Sequence, residues 1–323
     1  MSEQQPLCVL PDVSVVIPNY NHAEYLEGTI KSLMDQSHPP AEIVIVDDAS
    51  TDHSWEILER IARDHESIRA VRRTSNGGVN KALSQGVAFT TCPFLVTASV
   101  DDIRLPTFLE RSASMLAAYP DAALVFSDPA ELIDATGEKR IYPNFARMPA
   151  GFISSEDFSR AQRRRSFRIS SNTTMFRREL FLDVGGFQYE HHWHADWIAI
   201  MRLGMSHGVC YLPEILSYFR VVEGSYSELS KTKKENREEV IAACLGSIYE
   251  SGDREMIRHF RMSAAMPEHS VAMLPRLVTF SSFRRHCTPA LLSWIVVRQI
   301  WNLLRPYAPR SARAAVREVV NRR

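Results

Sequence analysis

The first 130 residues alternate between two hydrophobic periods. Short apolar runs rich in β-branched residues predict strands, and segments with apolar residues three or four positions apart predict helices. Strands are expected at Val13–Ile17, Glu42–Val46, Ile68–Arg72, Phe94–Thr97 and Ala123–Ser127, and helices at Glu24–Asp35, Trp55–Asp64, Asn80–Phe89 and Pro106–Ala118. This alternation indicates βαβ units, so the predicted fold class is α/β, with a doubly wound, mostly parallel sheet flanked by helices.

The regular alternation fades after about residue 130. Gly137 and Pro143–Gly151 are expected to lie in loops. Further elements are expected as a polar helix at Ser155–Arg165, a strand at Ser170–Phe176, helices at Arg177–Val184 and Asp196–His207, and a strand pair around Val209–Arg220. The pattern is mostly helical from Ser227 onward. We therefore predict an α/β domain over residues 1–225 and a helical C-terminal region over residues 226–323.

Composition places the chain among ordinary globular proteins. It has 323 residues, 45% of them hydrophobic, and five scattered cysteines without a CxxC pair. This usage argues against a disulfide scaffold and against a cysteine metal site. We expect a cytoplasmic protein, because no secretory signal is visible and no stretch approaches the roughly 20 apolar residues of a membrane span.

The C-terminal tail is strongly basic, although the whole chain has no net charge. Residues 276–323 contain ten arginines, no lysine and one acidic residue, Glu318, so this segment carries +9 and the rest of the chain −9. Within it, Pro289–Arg305 (PALLSWIVVRQIWNLLR) combines an apolar surface with two tryptophans and flanking arginines. We weigh two equal interpretations, a helix lying on an anionic membrane leaflet and a helix packed against the protein or a dimer partner.

Candidate chemistry follows the first four predicted strands. In a doubly wound sheet, ligands bind beyond the carboxyl ends of the strands. The segments at those ends are Pro18–Asn21, Asp47–Asp52, Asn76–Lys81 and Ser99–Asp102. Together they offer an aromatic ring, a glycine turn, a lysine and four carboxylates, a combination that suits a nucleotide bound through a divalent cation. For Asp47–Asp52 taken alone, a helix cap with acids near the helix N-terminus is the simpler interpretation.

Individual residues suit that ligand. Tyr20 can stack on a base, and the carboxylate of Asp48 can accept a hydrogen bond from a ring N–H. Asp101 and Asp102, at the end of a buried strand, can hold Mg²⁺ or Mn²⁺ against two phosphates, because hard cations take oxygen ligands.

The motifs resemble those of a known family. VSVVIPNYNHAEYLEGTIKSLMDQS followed by EIVIVDDASTD resembles the opening of a family 2 glycosyltransferase with the A-type nucleotide-sugar fold. The resemblance continues through SNGGVNKALSQG, SVDD and FRRELFLDVGGF…HADWIAIMRL, and covers roughly residues 12–225. It implies inverting transfer of a sugar from a nucleotide donor with the help of Mn²⁺ or Mg²⁺, which makes residues 1–225 the nucleotide-sugar-binding and catalytic domain.

The resemblance also implies roles for individual residues. Pro18 and Tyr20 would line the base pocket, and Asp48 would contact the edge of the base, most naturally uracil. Asp101 would approach the ribose, and Asp102 would be the metal ligand.

A second group of residues would serve the diphosphate and the acceptor. Asn80 or Lys81 would lie near the diphosphate, and Trp197 and Arg220 belong to the expected substrate site. Asp196 matches the general base of the family, because a single inverting displacement needs one base to deprotonate the acceptor hydroxyl. The alternative for Asp196 is a helix N-cap, and the two roles are compatible.

Three positions depart from the family pattern. Ser99 and Ala195 stand where members often carry acids, and Val222 stands where many carry a histidine, a contact that Arg220 is a candidate to supply. These departures favour a rival function, that of a non-catalytic sugar-nucleotide binder or assembly subunit of a polysaccharide pathway. A nucleotidyltransferase is a weaker rival, because PNYN replaces the glycine-rich phosphate loop expected after its first strand.

Two clusters remain open. His191, His192 and His194 lack the i, i+4 spacing of a helical zinc pair, so an acceptor pocket or a mobile loop is favoured over a metal site. Five arginines form a basic patch that a solvated helix face explains better than an anionic acceptor: Arg160, Arg163, Arg164, Arg165 and Arg168.

The sequence therefore predicts a glycosyltransferase that uses a nucleoside diphosphate sugar, and a UDP-linked donor is favoured. Its acceptor is expected to be a hydroxyl of a growing surface glycan or lipid-linked glycan. We expect the enzyme to lie in the cytoplasm, with attachment to the inner face of the membrane as an open alternative, and we expect no nucleic-acid partner.

Overall fold

A computed structural model of the chain describes residues 10–142, 148–164, 169–221 and 237–263, and the single positions 289, 292 and 296. The strands in these ranges are β1 (Val13–Asn19), β2 (Glu42–Asp47), β3 (Ile68–Arg72), β4 (Phe94–Thr97), β5 (Ile103–Arg104), β6 (Leu124–Ser127), β7 (Ala130–Ile133), β8 (Glu138–Ile141), β9 (Gly151–Ile153), β10 (Thr174–Arg177), β11 (Val209–Leu212) and β12 (Ser217–Val221).

The helices described are α1 (Ala23–Met34), α2 (Ser54–Asp64), α3 (Val79–Val87), α4 (Phe108–Ala118), α5 (Ser155–Arg164), α6 (Arg178–Asp183), α7 (Ala195–His207), α8 (Arg237–Tyr249) and α9 (Arg254–Ser263). Two short segments of 3-10 geometry, Ser171–Thr173 and Tyr189–His194, lead into β10 and α7.

The main sheet has eight strands in the order β3-β2-β1-β4-β10-β6-β11-β9. The first four strands of that order run parallel, and β11 is parallel to β6. β10 lies antiparallel between β4 and β6, and β9 is antiparallel to β11. Four of the seven neighbouring pairs are thus parallel, and this confirms the predicted α/β class with a mostly parallel sheet.

The strand β1 shows why the sheet is covered on both faces. Val13, Val15 and Ile17 belong to one buried cluster, which includes apolar residues of α1, α2 and α4. Val16 belongs to the opposite cluster, together with residues of α3 and α7. Because successive side chains of a strand point to opposite faces, a continuous apolar run is what a strand buried on both sides requires.

Gly86 sets how closely α3 approaches the sheet. A Cβ atom at this position would lie 2.4 Å from Val16 Cγ1 and 3.1 Å from Val46 Cγ2. A residue without a side chain therefore lets the helix lie directly on β1 and β2. This packing fixes the N-terminus of α3, which carries Asn80 and Lys81.

The predicted strand Ser170–Phe176 is correct only in its second part. Residues 171–173 form a 3-10 turn, and β10 covers Thr174–Arg177. The Ser170 carbonyl accepts hydrogen bonds from the hydroxyls of Thr173 (3.0 Å) and Thr174 (2.8 Å). Such local bonds from Ser and Thr side chains compete with strand pairing, so the ladder begins later than the apolar pattern indicates.

Both strands predicted around Val209–Arg220 are present, but the prediction that they pair with each other is wrong. β11 lies in the main sheet, whereas β12 belongs to a second sheet with the order β5-β12-β7-β8. Between them, the carbonyls of Glu214 and Leu216 accept hydrogen bonds from Asp128 and Leu105 (both 2.9 Å). These contacts direct the chain out of the main sheet.

The predicted loop around Gly137 contains the turn of the β7–β8 hairpin, whose outer strand is exposed at all four residues.

The described C-terminal helices pack into the core of the α/β region. Val240, Cys244 and Leu245 of α8 and Phe260 of α9 share one buried cluster with α3, α5 and α7. The predicted boundary near residue 225 stays a prediction, but residues 237–263 have no separate core of their own. Of the five cysteines, Cys92, Cys210 and Cys244 are described, and all three are buried thiols.

Several sequence predictions fall outside the described residues. They are the Pro289–Arg305 helix apart from positions 289, 292 and 296, the rest of the basic tail, Arg165, Arg168 and Val222. In the part of the chain that is described, no helix combines the length and hydrophobicity needed to cross a membrane.

Candidate functional site

Side-chain hydrogen bonds join the carboxyl ends of β1 and β2. Asn19 Nδ2 donates to Asp47 Oδ1 (2.9 Å) and to Ser50 Oγ (3.2 Å). The Asn21 backbone N–H also donates to Ser50 Oγ (2.9 Å). Pro18 is half-buried at the end of β1, and the next ring, Tyr20, is 43% exposed. This network leaves Tyr20 as the accessible aromatic surface at the end of β1.

Asp48 connects the loop after β2 to the loop after β3. Its buried carboxylate accepts hydrogen bonds from the backbone N–H of Gly77 (2.9 Å to Oδ1) and of Gly78 (2.7 Å to Oδ2). Gly78 has a φ of +86°, a conformation that glycine adopts without steric cost. Asp48 thereby holds the glycine turn that begins α3.

Arg73 completes this corner, and the sequence analysis missed it. Its Nε lies 2.7 Å from Asp48 Oδ1, and its Nη1 donates to Gln85 Oε1 (2.9 Å). A carboxylate offers about four acceptor positions, and the two glycine N–H groups occupy part of those on Asp48, while Arg73 forms an ion pair with it. The corner therefore presents a cation beside a carboxylate that keeps acceptor capacity. The available signal was a basic residue between a predicted strand and a Gly-Gly turn.

Asp101 and Asp102 follow β4, as predicted, but their environments differ. Asp101 is half-buried, its carboxylate accepts a hydrogen bond from Ser99 Oγ, and its carbonyl accepts one from Arg220 Nε (2.9 Å). Asp102 is buried beside Arg104, with only 4% of its surface exposed. Burial raises the pKa of Asp102 to about 7, although the charge of Arg104 opposes this shift and that of Asp101 adds to it.

This carboxylate pair fits a divalent cation whose coordination the phosphates of the donor would complete. Asp102 Oδ1 is buried and has no hydrogen-bond partner among the described residues. Across the same residues, no group of three or more His, Cys, Asp and Glu side chains could hold a metal by itself. Mg²⁺ is commonly held by one or two carboxylates together with substrate phosphates, and this donor set matches that arrangement.

Arg220 joins the second sheet to the Asp101 loop. Besides donating to the Asp101 carbonyl, it pairs with Asp134 and lies over the ring of Tyr25, 5.5 Å from its centroid. The guanidinium is thus engaged on three sides. In this structure Arg220 positions the loop of the carboxylate pair, and its predicted contact with the diphosphate remains a prediction.

Asp196 occupies the first turn of α7, as predicted, and is half-buried. The Trp197 backbone N–H donates to its Oδ1 (2.7 Å). Burial raises the pKa of Asp196, and the backbone N–H groups of Trp197 and Ser171 partly offset this effect. A carboxylate with a raised pKa is a stronger base than an ordinary exposed aspartate, as a general base requires. The Trp197 ring packs against Phe260 at a centroid distance of 6.3 Å.

The segment before Asp196 has strained backbone. His192 adopts φ 44° and ψ −122°, a conformation that non-glycine residues rarely take. Asn80 Nδ2 donates to the His192 carbonyl (2.8 Å), and Lys81 Nζ lies 4.3 Å from the ring centroid of Tyr189. The structure therefore places Asn80 and Lys81 against the segment that carries Asp196.

His191 fixes the same segment from the other side. It is buried, and its Nε2 lies 2.5 Å from Ser247 Oγ on α8, while that hydroxyl lies 3.0 Å from the Ala243 carbonyl. With the Ser247 proton directed at Ala243, the hydroxyl oxygen accepts from a His191 ring that is protonated on Nε2. Burial lowers the pKa of His191 to about 4, so the ring is neutral near pH 7. This contact gives His191 a structural role, while the interpretation of the histidine cluster as an acceptor pocket or mobile loop stays a prediction.

Comparison with known proteins gives a family match. A family model described as "Glycosyl transferase family 2" matches residues 14–185. The amylovoran biosynthesis glycosyltransferase AmsE of Erwinia amylovora is 28% identical over 213 residues, which cover 64% of this chain and 75% of AmsE. The matches to several other curated glycosyltransferases span only about a third of those relatives' own lengths.

Two solved structures share the fold. S. aureus TarS in complex with UDP-GlcNAc has a TM-score of 0.64 at 19% identity, over 78% of this chain and 70% of that chain. The mannosyltransferase PcManGT of Pyrobaculum calidifontis, in complex with GDP-Man and Mn²⁺, has a TM-score of 0.51 at 18% identity. The match covers 93% of this chain and 91% of that chain. At these identities the likeness concerns the fold.

Proposed function

The chain belongs to glycosyl transferase family 2, and on that premise we propose that it transfers one sugar, with inversion, from a UDP-linked donor to a hydroxyl of a growing surface glycan. One observation carries the proposal. Asn80, in the first turn of the helix that follows the glycine turn held by Asp48, donates its Nδ2 to the His192 carbonyl (2.8 Å), in the segment that leads into Asp196. A candidate base thus lies beside the loops of the candidate nucleotide site.

The chemistry assigned to these residues is a single displacement. The acceptor hydroxyl gives its proton to the Asp196 carboxylate while its oxygen bonds to the anomeric carbon, and the bond from that carbon to the diphosphate oxygen breaks. Asp102, with Asp101 beside it, would hold Mn²⁺ or Mg²⁺, which stabilises the negative charge of the leaving diphosphate. PcManGT, a neighbour in fold, was solved with Mn²⁺, and this supports the choice of metal.

The preference for uracil rests on the corner formed by Asp48 and Arg73. Uracil presents an N–H donor between two carbonyl acceptors, so its N–H suits the acceptor capacity that remains on the Asp48 carboxylate and a carbonyl suits the neighbouring Arg73 guanidinium. Tyr20, exposed at the end of β1, supplies a ring for stacking. The TarS structure contains UDP-GlcNAc, which supports this base, whereas PcManGT contains GDP-Man, which makes guanine the competing base.

We extend the proposal to the acceptor and to location. AmsE is named for the biosynthesis of amylovoran, and a tail with ten arginines and one glutamate suits an anionic membrane surface. We therefore propose a glycan or lipid-linked glycan acceptor and attachment at the inner face of the membrane. The full chain is expected to sediment with vesicles containing anionic lipid and to stay in the supernatant with neutral vesicles. Equal behaviour with both vesicles would remove membrane attachment from the proposal.

Calorimetric titration tests the donor site. The wild-type protein is titrated with UDP, GDP, dTDP and CDP, with and without Mn²⁺, beside Asp102→Asn and an exposed control, Asp64→Asn. We expect UDP to bind at least tenfold more tightly with Mn²⁺, and this gain to disappear only in Asp102→Asn. Preference for another nucleotide would change the donor class, and no binding to any of them would overturn the proposed function.

A further inference from the structure

Asn172 has a buried amide group without a partner. Only 4% of the residue is exposed, and neither Oδ1 nor Nδ2 has a hydrogen-bond partner among the described residues. An asparagine amide can donate two hydrogen bonds and accept two, and buried polar groups are nearly always partnered. Leaving such a group unpartnered costs roughly 10- to 100-fold in an equilibrium constant. A ligand that supplies the missing partners would recover this cost.

The turn that carries Asn172 is held independently of the amide. The Asn172 carbonyl accepts a hydrogen bond from Ser217 Oγ (3.0 Å), and the Thr173 N–H donates to the Ser170 carbonyl (3.0 Å). Ser217 lies on β12 in the second sheet. The backbone therefore has its own contacts, and these do not account for the amide.

Asn172 stands between the two halves of the candidate site. Met175 of β10 pairs with Val96 of β4, and the 3-10 turn that carries Asn172, directly before β10, packs against β4, whose end leads to Asp101 and Asp102. On the other side, the backbone N–H of the neighbouring Ser171 is among the groups that partly offset the raised pKa of Asp196. In a single displacement, the reacting carbon must lie between the leaving group and the base, and this turn lies beside both candidates.

We propose that the Asn172 amide binds a hydroxyl group of the sugar being transferred, and this inference rests on the function proposed above. A sugar hydroxyl both donates and accepts a hydrogen bond, so it matches an amide that offers both an oxygen and an NH₂ group. Thr97, opposite Thr174 at the end of β4, adds a second buried hydroxyl without a partner among the described residues. The proposed sugar-recognition surface is thus the 3-10 turn of residues 171–173 together with the end of β4.

The experiment compares a nucleotide with and without its sugar. The full-length wild type, Asn172→Ala and Asn172→Ser are titrated in Mn²⁺ with UDP and with UDP-glucose, UDP-galactose and UDP-N-acetylglucosamine. For the sugar that wild type prefers, Asn172→Ala is expected to lose about tenfold in affinity while its UDP affinity stays within twofold. Asn172→Ser, which keeps one donor and acceptor, is expected to lose less. Ser217→Ala, which removes only the contact to the Asn172 backbone carbonyl, is the matched control. It should keep the wild-type ratio of UDP-sugar affinity to UDP affinity.

Two results would overturn the inference. If affinity for UDP and for the UDP-sugar falls equally in Asn172→Ala, together with its melting temperature, the amide has a structural role. If neither affinity changes, the sugar does not contact it. Wild-type protein that binds no nucleotide would instead overturn the proposed function, and the inference with it, so the two failures are distinguishable.

Discussion

The loops after β1–β4 and the segment around Asp196 are held in place by different means. In the first region, backbone and side chains of neighbouring strand ends hold one another, as Asp48 does with Gly77 and Gly78. In the second, residues far apart in the chain hold a strained backbone, since Asn80 bonds His192 across 112 positions and Ser247 bonds His191 across 56. Apart from the Asp101 loop, which Arg220 also holds, the proposed donor region is therefore a property of the sheet, whereas the proposed base region depends on contacts from distant parts of the chain.

The strongest test of this comparison separates the two regions by function. Asp196→Asn is expected to lower the transfer rate by about 10³-fold, because the acceptor hydroxyl loses its base, while UDP affinity stays within twofold. Single-turnover transfer and calorimetry measure the two quantities. Asp183→Asn, at an exposed position of α6, is the control and should keep both. A transfer rate that survives in Asp196→Asn would remove this residue as the base.

A pH titration tests the burial of His191. Its pKa in the folded protein is about 4, against 6.5 for an ordinary histidine, so the unfolded chain binds more protons between these values. The free energy of unfolding should therefore fall as pH drops from about 6.5 to 4, by about 3 kcal/mol from this residue.

Denaturant unfolding at several pH values measures this loss. The loss should shrink in His191→Gln and persist in the exposed control His22→Gln. An unchanged pH dependence in His191→Gln would show that the ring titrates normally in the folded state.

The donor region should respond to overpacking of its sheet. Gly86→Ala places a Cβ within 2.4 Å of Val16 Cγ1, which is expected to lower the free energy of unfolding by about 1–3 kcal/mol. Gly28→Ala lies in α1, with no atom within 4 Å of the added Cβ, and should stabilise the protein by up to about 1 kcal/mol. Thermal unfolding compares the pair. Equal effects would mean that α3 can move away from the sheet without cost.

The smallest effect is expected from a substitution in the C-terminal helix α8, which tests whether this helix holds the segment before Asp196. Ser247→Ala removes the partner of His191, so transfer should slow about 5- to 10-fold while UDP affinity is unchanged. Ser247→Thr keeps the hydroxyl and should restore the rate. Ser251→Ala is the control, because its hydroxyl donates to the Ile248 carbonyl (2.7 Å). Equal transfer rates in Ser247→Ala and Ser251→Ala would show that the contact between α8 and His191 does not affect transfer.

The sequence predicted the first four strands well, because β1, β2 and β4 are buried on both faces and are largely apolar, and even the edge strand β3 keeps Ile68, Ala70 and Val71 at alternating or adjacent apolar positions. The positions of Asp48, Asp101, Asp102 and Asp196 followed from strand ends and family motifs. Asp48 was assigned to the base edge alone, whereas the structure shows it also holding the glycine turn. That second role depends on Gly77 and Gly78, whose backbone N–H groups have no sequence signature.

The misses have physical causes of two kinds. β8 and β9 have four and three residues, and β8 is exposed throughout, so neither has the alternation that marks a half-buried strand. Asn172 and Ser247 are single polar residues whose importance comes from a partner, or from the lack of one, in three dimensions. Because the partner of Ser247 lies 56 positions away, no local pattern could indicate it.

The long-range bond between His191 and Ser247 also orders events during synthesis of the chain. β1–β3 and the loops that follow them have been made by residue 81, whereas the loop with Asp101 awaits Arg220 on β12. The segment with Asp196 cannot acquire its final contacts until α8 has left the ribosome, because Ser247 lies on that helix. The nascent chain therefore acquires the contacts of the Asp48 corner first, those of the Asp101 loop later, and those of the segment before Asp196, the proposed base, last.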